Sequence, residues 1–95
     1  MDIFQKDKII AIISMFYPQA TIYLFGSYAR NDARNGSDID IAIDNHEKIS
    51  MLELNQMRHM IDVLNTRQRI DLVDFHNVPV AMQTNILKDG VVWKK

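Results

Sequence analysis

The segment GSYARNDARNGSDID, Gly26 to Asp40, carries two polar motifs ten residues apart, each beside a strand-like run. Ahead of it, Thr21-Ile22-Tyr23-Leu24-Phe25 is β-branched and aromatic, the composition of a strand. At its far end, Asp38 to Asp44 alternates polar and apolar with period two, which predicts a strand over about 38–43. Residues two apart on a strand share a face. Asp38 and Asp40 therefore project together, and Ile39, Ile41 and Ile43 point to the opposite, core-facing side. Two carboxylates this close repel unless a cation lies between them, and hard oxygen donors suit Mg²⁺ or Mn²⁺. Gly26-Ser27 complements them. A strand that ends in Gly-Ser and runs into a short helix over about 27–31 leaves N–H groups and a helix dipole aimed at a phosphate. Glycine allows close backbone approach, and serine adds a hydroxyl donor.

At 95 residues the chain is expected to form one domain, 1–95, with one core; 47% apolar composition suits a folded globular protein. A formal net charge of -1 offers no electrostatic basis for non-specific nucleic-acid binding. No cysteine is present, which excludes disulfide frameworks and thiolate metal sites. No apolar run reaches transmembrane length. The start, Met1 to Lys8, is charged and lacks a signal-peptide core. A cytoplasmic, membrane-independent protein is expected.

Working outward, Asp2 to Phe16 reads as an amphipathic helix with Phe4, Ile9, Ile12, Ile13 and Phe16 on its apolar side. Asp2 and Gln5 form a capping-box pattern, and Pro18 ends the helix. The loop Asp32 to Ser37 is rich in turn residues. Ser50-Met51-Leu52-Glu53 is a second capping box, opening a helix with Leu54, Met57, Ile61 and Leu64 as its stripe. A polar turn over 66–69 leads to a third strand, Ile70 to Phe75. Pro79 opens a last helix with Met82, Ile86 and Leu87 apolar and Gly90 at C′, and Val91-Val92-Trp93 fits a short edge strand. The expected architecture is a small α/β sheet flanked by helices, in the order α-β-α-β-α-β-α with a terminal strand.

Asp71 is the natural third acid, on a strand next to that of Asp38 and Asp40; Asp74 points to the other face and suits a cap for the next segment. Three carboxylates on adjacent strands can hold two cations about 3.5–4 Å apart, an arrangement used for in-line phosphoryl displacement. The competing reading of these acids is a solvated strand face continued by Ala42 and Asp44, but aspartate is disfavoured in strands. Arg30 suits either a phosphate or a pairing with Asp32 or Asp38. His46, His59 and His76 lack ligand spacing. Trp93 suits packing across the sheet edge or a partner contact.

Gly26-Ser27, ten residues, then Asp38-Ile39-Asp40 resembles the GSx10DxD signature of the DNA polymerase β-like nucleotidyltransferases, and the chain's length resembles the minimal nucleotidyltransferases, MNT. The Ser-x-Ala-Arg context around Arg30, the Ile-Asp-Leu-Val-Asp strand and the closing Ile-Leu-Lys-Asp-Gly extend the likeness over most of the chain. Many relatives carry glycine where this chain has Asn31, a residue that tolerates the left-handed conformation.

The resemblance implies Mg²⁺-dependent transfer of a nucleoside monophosphate, AMP from ATP, to a hydroxyl. By that likeness Gly26 and Ser27 hold the triphosphate, Asp38, Asp40 and Asp71 ligate two metal ions, and Asp71 serves or orients the general base. It also implies an antitoxin beside a HEPN-domain toxin, with a toxin tyrosine as acceptor. Two alternatives accompany it: a non-catalytic module that neutralises the toxin by contact, and an enzyme that modifies a small hydroxylated molecule such as an antibiotic.

Overall fold

A computed structural model describes residues 5–34, 36–64 and 67–95. Their order is α1 (Lys6–Phe16), β1 (Thr21–Phe25), β2 (Ile39–Asp44), α2 (Met51–Leu64), β3 (Ile70–Asp74), a 3₁₀ turn (Phe75–Asn77), α3 (Val80–Asp89) and β4 (Val91–Lys94). The strands form one mixed sheet in the order β3-β2-β1-β4. β1 runs antiparallel to both β2 and β4, and β2 runs parallel to β3. A parallel pair needs a crossover, and α2 supplies it.

The period-two pattern sorts the sheet into two faces. Ile22 and Leu24 of β1, Ile39, Ile41 and Ile43 of β2, and Ile70 and Leu72 of β3 are buried against Ile9 and Ile13 of α1 and Leu54, Met57 and Ile61 of α2. Fully burying each such side chain is worth roughly 1.5–3 kcal/mol, so this face carries most of the stability. The opposite face has a smaller cluster, in which Ala42, Phe75 and Ile86 are buried and Tyr23, Phe25, Val73 and Val78 pack around them. Ile86 is the one buried residue of α3, so that helix is held by far less apolar contact than α2.

Several expected details differ. Asp2 and Phe4 lie outside the described residues. Gln5 precedes α1 with φ 63, so it does not act as the third residue of a capping box. Ser50 does cap α2, with the Glu53 N–H donating to its Oγ at 3.4 Å. The Glu53 carboxylate, however, accepts from Tyr17 Oη at 2.6 Å instead of reaching back, and so pins α1 to α2. Burial, then the hydrogen bond and charge of Glu53, then the charge of Asp74, push the Tyr17 hydroxyl up to about 12.

The last helix buries Ile86 but leaves Met82 and Leu87 exposed, because only a narrow strip of α3 meets the sheet. Gly90 is not left-handed (φ -68); a Cβ there would lie 2.2 Å from the Ile86 carbonyl oxygen. Glycine is needed for close approach, since its N–H donates to that same carbonyl at 2.8 Å. Thr66, in the expected polar turn, lies outside the described residues.

The β3 edge is partly blunted. Arg58 donates from Nε and Nη2 to the Leu72 carbonyl at 3.1 and 2.9 Å, covering the outer side of β3. The terminal strand exists as β4, and its Trp93 packs against the main core under the Lys6 ammonium, 5.4 Å from the ring centroid.

Candidate active site

The two motifs meet because β1 and β2 are antiparallel neighbours. Phe25 is the register partner of Asp40, so Gly26, the next residue, turns beside that carboxylate. Gly26 has φ +76, and a Cβ there would sit 2.1 Å from Asp40 Oδ2. The glycine is thus required twice, for a left-handed backbone and for the space the carboxylate fills. The Asp40 side chain, and not only an incoming ligand, uses that space.

Residues 26–31 form a run of turns, not the short helix expected from the sequence. The Arg30 N–H donates to the Gly26 carbonyl at 3.1 Å, the Asn31 N–H to the Tyr28 carbonyl at 3.4 Å, and the Asp32 N–H to the Ser27 carbonyl at 3.0 Å. Asn31, at φ 61, takes the left-handed position that glycine would otherwise occupy, and this reversal stops a helix from propagating. Among the described residues, the N–H groups of Ser27 and Tyr28 have no backbone acceptor. What this corner offers an anion is therefore a set of local N–H groups and not a helix macrodipole.

Asp40 and Asp71 are direct partners across the parallel β2–β3 pair. Asp38 lies immediately before β2, which begins at Ile39 and ends at Asp44, one residue later at each end than the pattern predicts. Asp38 and Asp71 are exposed and Asp40 is half-buried. Burial, then the charges of Asp71 and Asp38, push the Asp40 carboxyl above its ordinary range, against a smaller opposing pull from Arg30. Asp40 thus feels the charges of the other two acids.

Ala42 overturns the solvated-face reading, since it is fully buried beneath Phe75 and Ile86. The acids lie at one end of a face whose middle is covered by Phe75 and Ile86. Among the described residues, no three His, Cys, Asp or Glu side chains are drawn together as a finished metal cage. The donor set is nonetheless all carboxylate oxygen and mutually repulsive, a chemistry that fits a hard divalent cation.

Arg30 pairs with Asp32, Nε to Oδ2 at 3.3 Å, with both side chains at least half exposed. Such a pair is worth about 0–1 kcal/mol and leaves the guanidinium easily redirected. Gln68 Nε2 donates to the Tyr28 hydroxyl, tying the corner to the segment that leads into β3. The Ile39 N–H donates to the Arg69 carbonyl at 2.9 Å, fixing the same segment to the start of β2. Asp74 points into the other face, is 4% exposed, and accepts from the Ile49 N–H at 2.7 Å and the His76 N–H at 3.0 Å. It caps the 3₁₀ turn, as its position suggested.

Two features were not evident from the sequence. At the far end of β2, Asp44 Oδ1 lies 2.6 Å from His76 Nε2. Beside the corner, a cavity of about 500 Å³ opens between Gly26 and α3. The first joins residues 32 apart, and the second depends on where α3 lands; neither leaves a local pattern.

The family model described as Polymerase beta, Nucleotidyltransferase matches residues 7–94. A Methanocaldococcus jannaschii protein, provisionally named a protein adenylyltransferase, is 40% identical over 63 residues, which is 65% of this chain and 62% of that protein. Among solved structures, a toxin–antitoxin crystal structure with AMP-PNP superposes with a TM-score of 0.80 at 24% identity, covering 97% of this chain and 75% of the other. A structure of tri-AMPylated Shewanella oneidensis HEPN toxin in complex with MNT antitoxin gives a TM-score of 0.73 at 24% identity, over 96% and 71% of the two chains. At that identity the structural likeness concerns the fold.

Proposed function

This chain belongs to the Polymerase beta nucleotidyltransferase family, and from that premise we propose that it transfers AMP from ATP to a hydroxyl of a HEPN-domain toxin, as the antitoxin of the pair. The observation that carries the reading is the meeting of Gly26 with Asp40, and of Asp40 with Asp71, at one open end of the sheet. The adenylyltransferase name of the relative and the AMP-PNP and AMPylated-toxin structures support nucleotide and acceptor.

In this reading Gly26 and Ser27 hold the triphosphate through backbone N–H groups and the serine hydroxyl. Arg30, whose charge reaches Asp40, turns from Asp32 to the phosphates. Asp38, Asp40 and Asp71 would hold Mg²⁺, as two ions, with Mn²⁺ as an alternative. When bound, the cation would supply charge neutralisation for the phosphates and a lower barrier to deprotonating the acceptor hydroxyl.

Exposed Asp71 faces the acceptor and serves as, or orients, the general base that takes the hydroxyl proton. The hydroxyl oxygen bonds to the α-phosphorus, the bond from that phosphorus to the bridging oxygen breaks, and pyrophosphate leaves on the side of the corner. The chain contributes chiefly alignment and electrostatics.

The test is incubation of the protein and its HEPN partner with Mg²⁺ and ATP labelled at the α-phosphate. Label on the partner is the expected result; its absence, with both proteins folded and associated, rejects the proposal. Asp38→Asn/Asp40→Asn then separates catalysis from contact. Loss of both labelling and neutralisation supports the enzyme. Neutralisation that persists without label identifies a contact antitoxin.

A further inference from the structure

Base recognition is the part of this reaction that the motifs leave unassigned. The cavity beside the corner has Phe25, Gly26 and Arg30 on one side and Met82, Asn85 and Asp89 of α3 on the other. Its volume of about 500 Å³ lies within the roughly 300–1,000 Å³ of small-molecule sites. Building on the function proposed above, we propose that this cavity holds the nucleoside of the incoming nucleotide, and that Asn85 and Asp89 select a base bearing an exocyclic amine.

The sheet order gives the direction. Across the register, Phe25 on β1, Asp40 on β2 and Asp71 on β3 stand side by side. The cavity lies on the β1 side of Asp40 and exposed Asp71 on the other. A nucleotide with its triphosphate at Gly26-Ser27 reaches the cavity with its sugar and base, while an acceptor enters past Asp71. In-line attack requires that separation of acceptor from pyrophosphate.

The lining fits a base. Phe25 and Met82 offer an aromatic ring and a polarisable thioether to its faces. The Asn85 amide supplies a donor and an acceptor together, the pair that matches adjacent edge groups of adenine. Ionised Asp89 only accepts, so it suits an amine and opposes a keto oxygen at the same place. Asn85 and Asp89, four apart on a helix, stack on one face. Both are exposed, as is Met82, so they are spared from the core. An acidic residue here also argues against a phosphate as the occupant, which leaves Arg30, on the Gly26 side of the lining, as the group for the phosphate end.

The full chain is titrated with adenosine, ATP and GTP while backbone amides are followed by NMR. Adenosine, which carries no phosphate and needs no metal, is expected to move the amides of Met82, Asn85 and Asp89. Asn85→Ala and Asp89→Ala are expected to weaken ATP binding about tenfold and GTP binding much less. Ala81→Trp, which fills the cavity from an exposed position, is expected to weaken both. If adenosine perturbs a different region, or the variants keep wild-type affinity and base preference, the inference is overturned. In that case ATP binding at the corner and AMP transfer by wild type would leave the proposed function standing. A wild-type chain that binds no ATP removes both.

Discussion

Replacing Gly26 with alanine separates two demands on one residue. At φ +76 an L-residue costs about 1–2 kcal/mol of backbone strain. For a chain of this size that lowers Tm by about 4–8 °C per kcal/mol. The new Cβ would also lie 2.1 Å from Asp40 Oδ2, so the carboxylate must retreat by about 1 Å or more to reach ordinary contact. A misplacement of about 1 Å in a reacting constellation costs about 100-fold in rate. Gly36→Ala is the control: φ is +84 there, but among the described residues nothing lies within 4 Å of a Cβ. Both variants are expected to lose Tm, by calorimetry, and only Gly26→Ala to lose AMP transfer. Gly26→Ala/Asp40→Ala, with the clash removed, should be more stable than additivity predicts, by about 0.5–3 kcal/mol. Equal activity loss in the two single variants, or full activity in Gly26→Ala, would refute the reasoning.

Asp40→Asn removes a carboxylate crowded by burial, Asp71 and Asp38, and is expected to abolish transfer while stabilising the metal-free fold by roughly 0.2–1 kcal/mol; a loss of Tm in chelator would contradict this. Added Mg²⁺ should raise the Tm of wild type and leave that of Asp40→Asn unchanged, as thermal scans with and without the ion will show. Asp44 behaves oppositely: burial raises its carboxyl, but hydrogen bonds from the His46 N–H and His76, with the charges of both, outweigh it and hold the group below the usual range. Its contribution is therefore present above the unfolded value of about 3.9 and fades as pH falls through the lower folded value. Asp44→Asn should be less stable than wild type at neutral pH, with the difference vanishing in strong acid; a difference that grows on acidification would oppose it.

The placement of Asp40 beside Asp71 was legible because its signals are local. Period two placed Asp38 with Asp40 and put Asp71 opposite Asp74, and the strand register then set Asp71 beside Asp40. Ser50 capping α2 and Asp74 capping the 3₁₀ turn were legible for the same reason. What stayed hidden depends on distant pairings. Ala42 looked solvent-facing because nothing in its neighbours reveals that Ile86 will cover it. Gly26 was legible as a turn, but not as the space for Asp40, which requires the register of β1 on β2. The helix expected after Ser27 failed on one residue, Asn31, whose left-handed backbone matters more than the helix-compatible side chains before it.

The acids beside the glycine corner are proposed to make a transferase and not only a binding surface. Intact-mass spectrometry of the proposed HEPN partner, isolated after co-expression with wild type or with Asp71→Asn, decides between the two. Partner heavier by whole AMP units with wild type, and unmodified partner with the variant, is the expected result. Unmodified partner in both, or equal modification in both, would contradict it.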